Sequence, residues 1–137
     1  MRYWLMKSEP DAYPWSKLVA DGRGQWDGVR SHQAASNMKA MQLGDRAFFY
    51  HSNIGKEVVG VMAIVATYCS DPKDATGVWG LVDVAPVVAV KTPVTLQQMK
   101  QDKRLAGLVF LRQSRLSVSP VGAVEWKLIC KLAGIKA

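Results

Sequence analysis

The sequence predicts an α+β fold in which short helices flank a curled sheet or small β-barrel. Apolar runs of strand length recur along most of the chain, and the helical signals are few, short and separately capped. With 137 residues, 1–137 is expected to form one domain, because a chain of this size can enclose a core without disulfide or metal staples.

Arg2 to Lys7 is a short apolar strand candidate. Pro14 suits the first position of a helix, and Gly22 stands where that helix would stop. Ser31 can cap a helix over Gln33 to Met41, ended by Gly44. Ala47 to Ser52, with the consecutive aromatics Phe48, Phe49 and Tyr50, and Glu57 to Val65, rich in Val and Ile, read as strands. Asn53-Ile54-Gly55-Lys56 between them has turn chemistry, so the two should form a hairpin. Val78 to Val84 and Val87 to Val90 read as strands around Pro86, and Leu116 to Val118 can close the sheet. Thr95 can cap a helix over Leu96 to Lys100. The last helix should start near Gly122, with Glu125 in its first turn, and stop at Gly134. Val124, Leu128, Ile129 and Leu132 would form its apolar face.

At 49% hydrophobic and 21% charged residues, the chain resembles an ordinary globular domain and neither a disordered nor a fibrous one. The longest uncharged apolar stretch, Val58 to Cys69, is broken by Gly60 and falls short of the roughly 20 residues a membrane helix needs. Met1 to Lys7 has too short an apolar run for a signal peptide, so a cytoplasmic location is expected, with no membrane partner. Cys69 and Cys130 lie far apart and form no CxxC, which favours two reduced thiols over a metal or redox site. Lys and Arg number 18 against 11 Asp and Glu, a net charge of +7 that favours a polyanionic partner, nucleic acid before a membrane surface.

Two segments carry more polar density than a fold needs. Lys7-Ser8-Glu9-Pro10-Asp11 follows the first strand, and Arg112-Gln113-Ser114-Arg115 precedes the last. In the second, two guanidiniums bracket an amide and a hydroxyl, groups suited to phosphates and base edges. With Lys100, Lys103 and Arg104 it is the most basic region of the chain; the plainer reading is a solvated run with local ion pairs. Of the five tryptophans, Trp4 and Trp126 read as core and Trp15 as cover for the barrel end. Trp26, between Gly24 and Gly28, is either a packing plug or a stacking platform, and its residue type alone favours the plug. Trp79, after Gly77, is equally open. His51-Ser52-Asn53 invites a nucleophile-and-base reading, but a Ser beside its base in sequence does not give triad geometry, and there is no Gly-x-Ser-x-Gly elbow. His32 and His51 have no zinc-ligand spacing, and Gly22-Arg23-Gly24 lacks the preceding strand and third glycine of a dinucleotide loop. No cofactor is expected.

Tyr3 to Pro10, Trp26-Asp27-Gly28-Val29-Arg30, Ala47 to Asn53 and Arg112 to Val118 together resemble the EVE domain family, in matching order over nearly the whole chain. The resemblance implies a PUA-like fold, a small mixed barrel with helices at its ends. It also implies kinship with YTH domains, which hold a methylated base in an aromatic cage. The implied function is non-catalytic: binding a flipped, modified base in DNA or RNA. Lys7 and Ser8 then match the Lys-Ser of the YTH pocket, and Trp26 matches its first cage tryptophan, which moves Trp26 from plug to platform. His51-Ser52-Asn53 falls at the strand end beside the pocket, and the second cage aromatic has no secure counterpart. Ser8, Asn53 and the Lys7 to Pro10 turn would meet the polar edge of the base, and Arg30, Arg112 and Arg115 the flanking phosphates. Glu9, Asp27, His51, Ser52, Gln113 and Ser114 complete the expected nucleic-acid surface. The chain departs from the family where relatives often read Asn-Tyr-Gln-Ala-Arg-Asn and it has Ser31-His32-Gln33-Ala34-Ala35-Ser36-Asn37, and at Gly122, where threonine is usual. The alternatives are an enzyme acting on a nucleotide or nucleic acid, with His51 or Asp27 as acid or base, and a protein-interaction module.

Overall fold

The computed structural model describes residues 1–137. Its strands are β1 (Tyr3–Ser8), β2 (Gly24–Trp26), β3 (Arg46–His51), β4 (Glu57–Ser70), β5 (Gly80–Thr95) and β6 (Val118–Val121). Its helices are α1 (Trp15–Asp21), α2 (His32–Ala40), α3 (Leu96–Gln101), α4 (Val109–Arg112) and α5 (Ala123–Leu132), with a 3-10 turn at Lys103–Leu105. One sheet orders the strands β2-β5-β4-β3-β1-β6. β1 runs parallel to β3 and antiparallel to β6, which sets Lys7 opposite Tyr50 and Ser8 opposite His51.

Both faces of this sheet are covered, so its central strands read as continuous apolar runs. Trp4, Met6 and Phe49 point to one face, with Leu18 of α1 and Ala34 and Met38 of α2. Leu5, Phe48 and Tyr50 point to the other, with Met99 of α3, Phe110 of α4, and Trp126 and Ile129 of α5. Successive side chains alternate between two cores, as the period of a strand requires.

The α+β architecture is as expected, but the sheet does not close into a barrel. Its edges are β2, with 3 residues, and β6, with 4. α2 packs on β6 as well as on β4 and β5, and so bridges the gap. Asn37 Nδ2–H donates to Val118 O at 2.7 Å, giving an edge carbonyl a partner.

The two strands expected around Pro86 are one. Pro86 faces Met62 at a register shift, where a bulge tolerates the missing N–H. The β3–β4 hairpin forms, turning through Asn53, Gly55 and Lys56 at φ of 71°, 84° and 49°. Pro14 caps α1 instead of opening it, and Gly22 ends it in the left-handed region at φ 73°. Ser31 Oγ accepts the Ala34 N–H at 3.4 Å, and Thr95 forms a reciprocal capping box with Gln98. On α5 Ile129 is buried and Leu128 and Leu132 pack partly buried against the same core, as expected; Trp126 and Cys130 join them, while Val124 is 76% exposed. Positions three and four apart share a helix face, and Val124 lies two residues before Trp126. No helix is long and apolar enough to cross a membrane. Cys69 and Cys130 are both unpaired.

Candidate nucleic-acid interface

β1 ends at Ser8, and the chain turns sharply. The Ala12 and Tyr13 N–H groups both donate to Glu9 O at 3.0 and 2.9 Å, and Ser8 Oγ donates to Tyr13 O at 2.6 Å. Gly24 lets Tyr13 settle against β2, since a Cβ there would lie 2.5 Å from the Tyr13 hydroxyl. The turn and the Gln25–Gly28 segment thereby enclose a hollow of about 440 Å³. Lys7, Ser8, Glu9 and Asp27 bring charge and hydrogen-bonding capacity to it, and Trp26 and Tyr13 bring rings. Trp26 is only 7% exposed and meets Phe49 edge to face at 5.3 Å. It is a core residue by burial and a wall of the hollow by position.

Lys7 also borders a second hollow, of about 200 Å³, with Ser52, Asn53, Lys56, Lys100 and Ser114. Its ammonium donates to Ser114 O at 2.7 Å and lies 5.1 Å from the Phe110 ring centre. Burial pushes the Lys7 pKa down. Ser114 in turn borders a third hollow, of about 360 Å³, with Arg112, Gln113, Arg115, and Ser31 and Gln33 from the start of α2. The three hollows are thus joined by shared walls, and neither the second nor the third has an acidic residue in its lining. A further hollow of about 420 Å³, near Met1, Gly122 and Glu125, contains none of the expected site residues.

The fold therefore gathers Lys7, Ser8, Glu9, Trp26 and Asp27 at one hollow and places Ser52 and Asn53 across Lys7 at the next. Three expected residues line none of the three. Pro10 sits within the turn. Arg30 lies over the Trp79 ring at 5.8 Å, with His32 4.8 Å from the same ring, so Trp79 belongs to a separate stack. His51 Nε2 accepts the Trp15 N–H at 3.1 Å and so anchors the start of α1. Burial holds the His51 pKa below its usual value despite Glu57 nearby, as suits a neutral ring with an accepting nitrogen. The residues overlooked in sequence include Tyr13 and Gln25, as well as Tyr50, Lys56 and Phe110. Gln25 alternates with buried Trp26 on β2, but three residues are too few to reveal that period.

The model of the EVE domain family matches residues 2–132. The chain belongs to the EVE domain family. Thymocyte nuclear protein 1 of Mus musculus is 32% identical to this EVE domain, over 95% of the chain and 73% of the relative. A solved protein of Rhodopseudomonas palustris superposes with a TM-score of 0.92 at 49% identity, covering 98% of this chain and 94% of that one. Human thymocyte nuclear protein 1, solved in complex with DNA containing 5-methylcytosine, superposes with a TM-score of 0.87 at 29% identity, covering all of both chains. A YTH domain of Zygosaccharomyces rouxii shares the fold of this EVE domain at a TM-score of 0.60 and 15% identity, over 99% of this chain and 87% of that one.

Proposed function

We propose that residues 1–137 act as one domain that recognises a flipped, modified nucleobase in DNA or RNA, received in the hollow beside Trp26. The observation that carries this reading is a hollow of about 440 Å³ with an indole and several polar groups in its lining. That volume lies within the range of about 300–1,000 Å³ typical of small-ligand sites. A base leaves its stack at a cost of a few kcal/mol, least when it is unpaired or modified. Stacking on Trp26 would return on the order of 1–3 kcal/mol. Because little of the ring is exposed, a base gains this contact by spreading the Lys7–Tyr13 turn from Gln25–Gly28. An extra methyl adds only about 0.8 kcal/mol by burial, so the shape of the hollow must supply most of the discrimination. Arg112 and Arg115, on the joined surface, would hold phosphates. The complex of human thymocyte nuclear protein 1 with 5-methylcytosine DNA supports this reading and makes that base the first to test.

The domain is in this reading a binding module and no enzyme. His51, the side chain best suited to proton transfer, is already engaged by the Trp15 N–H. Oligonucleotide incubated with the protein should return chemically unchanged. Unpaired cysteines suit a cytoplasmic location.

The test is titration of oligonucleotides with and without 5-methylcytosine against the wild type, Trp26→Ala and Trp26→Phe. The Phe variant keeps an aromatic packed on Phe49 and guards against simple unfolding. Preference for the modified strand should fall in both variants. An unchanged preference in folded variants removes the stacking role, and time-dependent product would point to an enzyme.

A further inference from the structure

The second hollow, lined by Lys7, Lys56 and Lys100, shares only Lys7 with the hollow that receives the base. Three ammonium groups border it without a carboxylate in the lining, and Tyr50, Phe110, Leu96 and Leu111 supply its apolar part. Like charges gathered at one concavity repel one another, and low-dielectric walls strengthen the field they direct into it. An anion relieves that repulsion, and nothing in the lining supplies one.

The segments that carry the lysines are held together by the fold. The Lys56 carbonyl accepts the Leu96 N–H at 2.8 Å, which ties the β3–β4 turn to the start of α3, the helix that carries Lys100. Asn53 and Lys56, the residues other than glycine with positive φ, at 71° and 49°, both border this hollow. Strained backbone of this kind concentrates at functional sites. Lys7 spends one of its three N–H donors on Ser114 O and keeps two. It also forms part of the wall of the Trp26 hollow, so an anion here would sit one wall away from the bound base.

We propose that this hollow is a phosphate subsite: Lys56 and Lys100, with Lys7 between them and the base, seat the backbone phosphate adjoining the flipped nucleotide. The inference rests on the base-reading function and extends it from one base to the strand that carries it. The strand would run from the Trp26 hollow over Lys7 towards the β3–β4 turn. A free inorganic phosphate ion has the same chemistry as this ligand, and the experiment separates the two.

Affinity for a single-stranded oligonucleotide containing 5-methylcytosine is measured across a salt series for the wild type and for K56Q/K100Q. Both lysines are exposed, so the substitutions leave the cores untouched. K127Q/K131Q, on the exposed side of α5, removes the same charge elsewhere. Losing one phosphate contact should make the slope of log K against log salt shallower by about 0.7. The control should keep the wild-type slope, and preference for the modified strand should stay as in the wild type. Inorganic phosphate, added at constant ionic strength, should compete weakly with the wild type, because it lacks the rest of the strand, and no better than chloride with K56Q/K100Q. A K56Q/K100Q slope equal to that of the wild type or the control overturns the proposal, as does competition by inorganic phosphate that K56Q/K100Q leaves unchanged. If K56Q/K100Q loses slope while folded Trp26→Ala and Trp26→Phe both keep their preference, the phosphate subsite stands and the stacking role fails.

Discussion

Asp45 shows how much one side chain can organise. It is 3% exposed, and its carboxylate accepts the Arg2 N–H at 3.2 Å, the Trp4 indole N–H at 3.1 Å and the Gln42 N–H at 3.0 Å. Burial works to raise its pKa, yet the hydrogen bonds from Gln42, Trp4 and Arg2 outweigh burial and hold it below the usual value. The core can thus take the polar edge of Trp4 without an orphan donor. Asp45→Asn keeps the shape but turns an amide donor towards these N–H groups. Stability should fall by about 1–3 kcal/mol, measured by urea denaturation. An unchanged midpoint would mean that the bonds contribute nothing net. No sequence signal marks Asp45, because two of its partners lie 41 and 43 residues away. Trp26 illustrates the same limit: its glycine neighbours suggested two roles, and its packing on Phe49 beside a hollow gives it a share in both.

Elements meet at Gly60. This residue of β4 pairs with Phe49, and the Trp15 ring of α1 lies over it. A Cβ at Gly60 would come within 2.5 Å of Trp15 Cη2. Gly60→Ala should therefore push α1 off the sheet and cost about 1–3 kcal/mol, with altered near-ultraviolet circular dichroism from Trp15. Wild-type stability and spectrum would show that Trp15 swings aside freely. Helix boundaries were legible wherever a local rule decides them, as with Ser31, Thr95 and Gly22. β2 escaped notice because its only support is pairing with Val82 to Val84 of β5, a contact far away in sequence. Pro86 was read as a break because its missing N–H is a local fact, whereas the bulge that absorbs the loss belongs to the β4–β5 pair.

The whole molecule should lose stability in acid in two steps. His51 in the folded protein lies below its ordinary 6.5, so the unfolded chain takes up the proton first. The stability tied to neutral His51 is fully present above 6.5 and is lost as pH falls through the lower folded value. Asp45 follows the same sign below its ordinary 3.8. Unfolding free energy, measured from about pH 8 to about pH 3, should fall first below 6.5 and again below 3.8. His51→Gln keeps an acceptor for Trp15 and should remove the first step alone. A wild-type profile flat between about pH 7 and pH 5 contradicts the assignment.

Charge excess, strand-rich patterning, capped helices and four ordered motif blocks follow from composition and near neighbours, and these were sufficient for the family and its α+β architecture. Which side chains converge was settled by folding. Lys7, Lys56 and Lys100 share a hollow because parallel pairing of β1 with β3 and the bond from Leu96 to Lys56 bring three separate segments together. A strand's alternation assigns residues to faces, but only long-range pairing sets which faces meet, and no period in the chain encodes that.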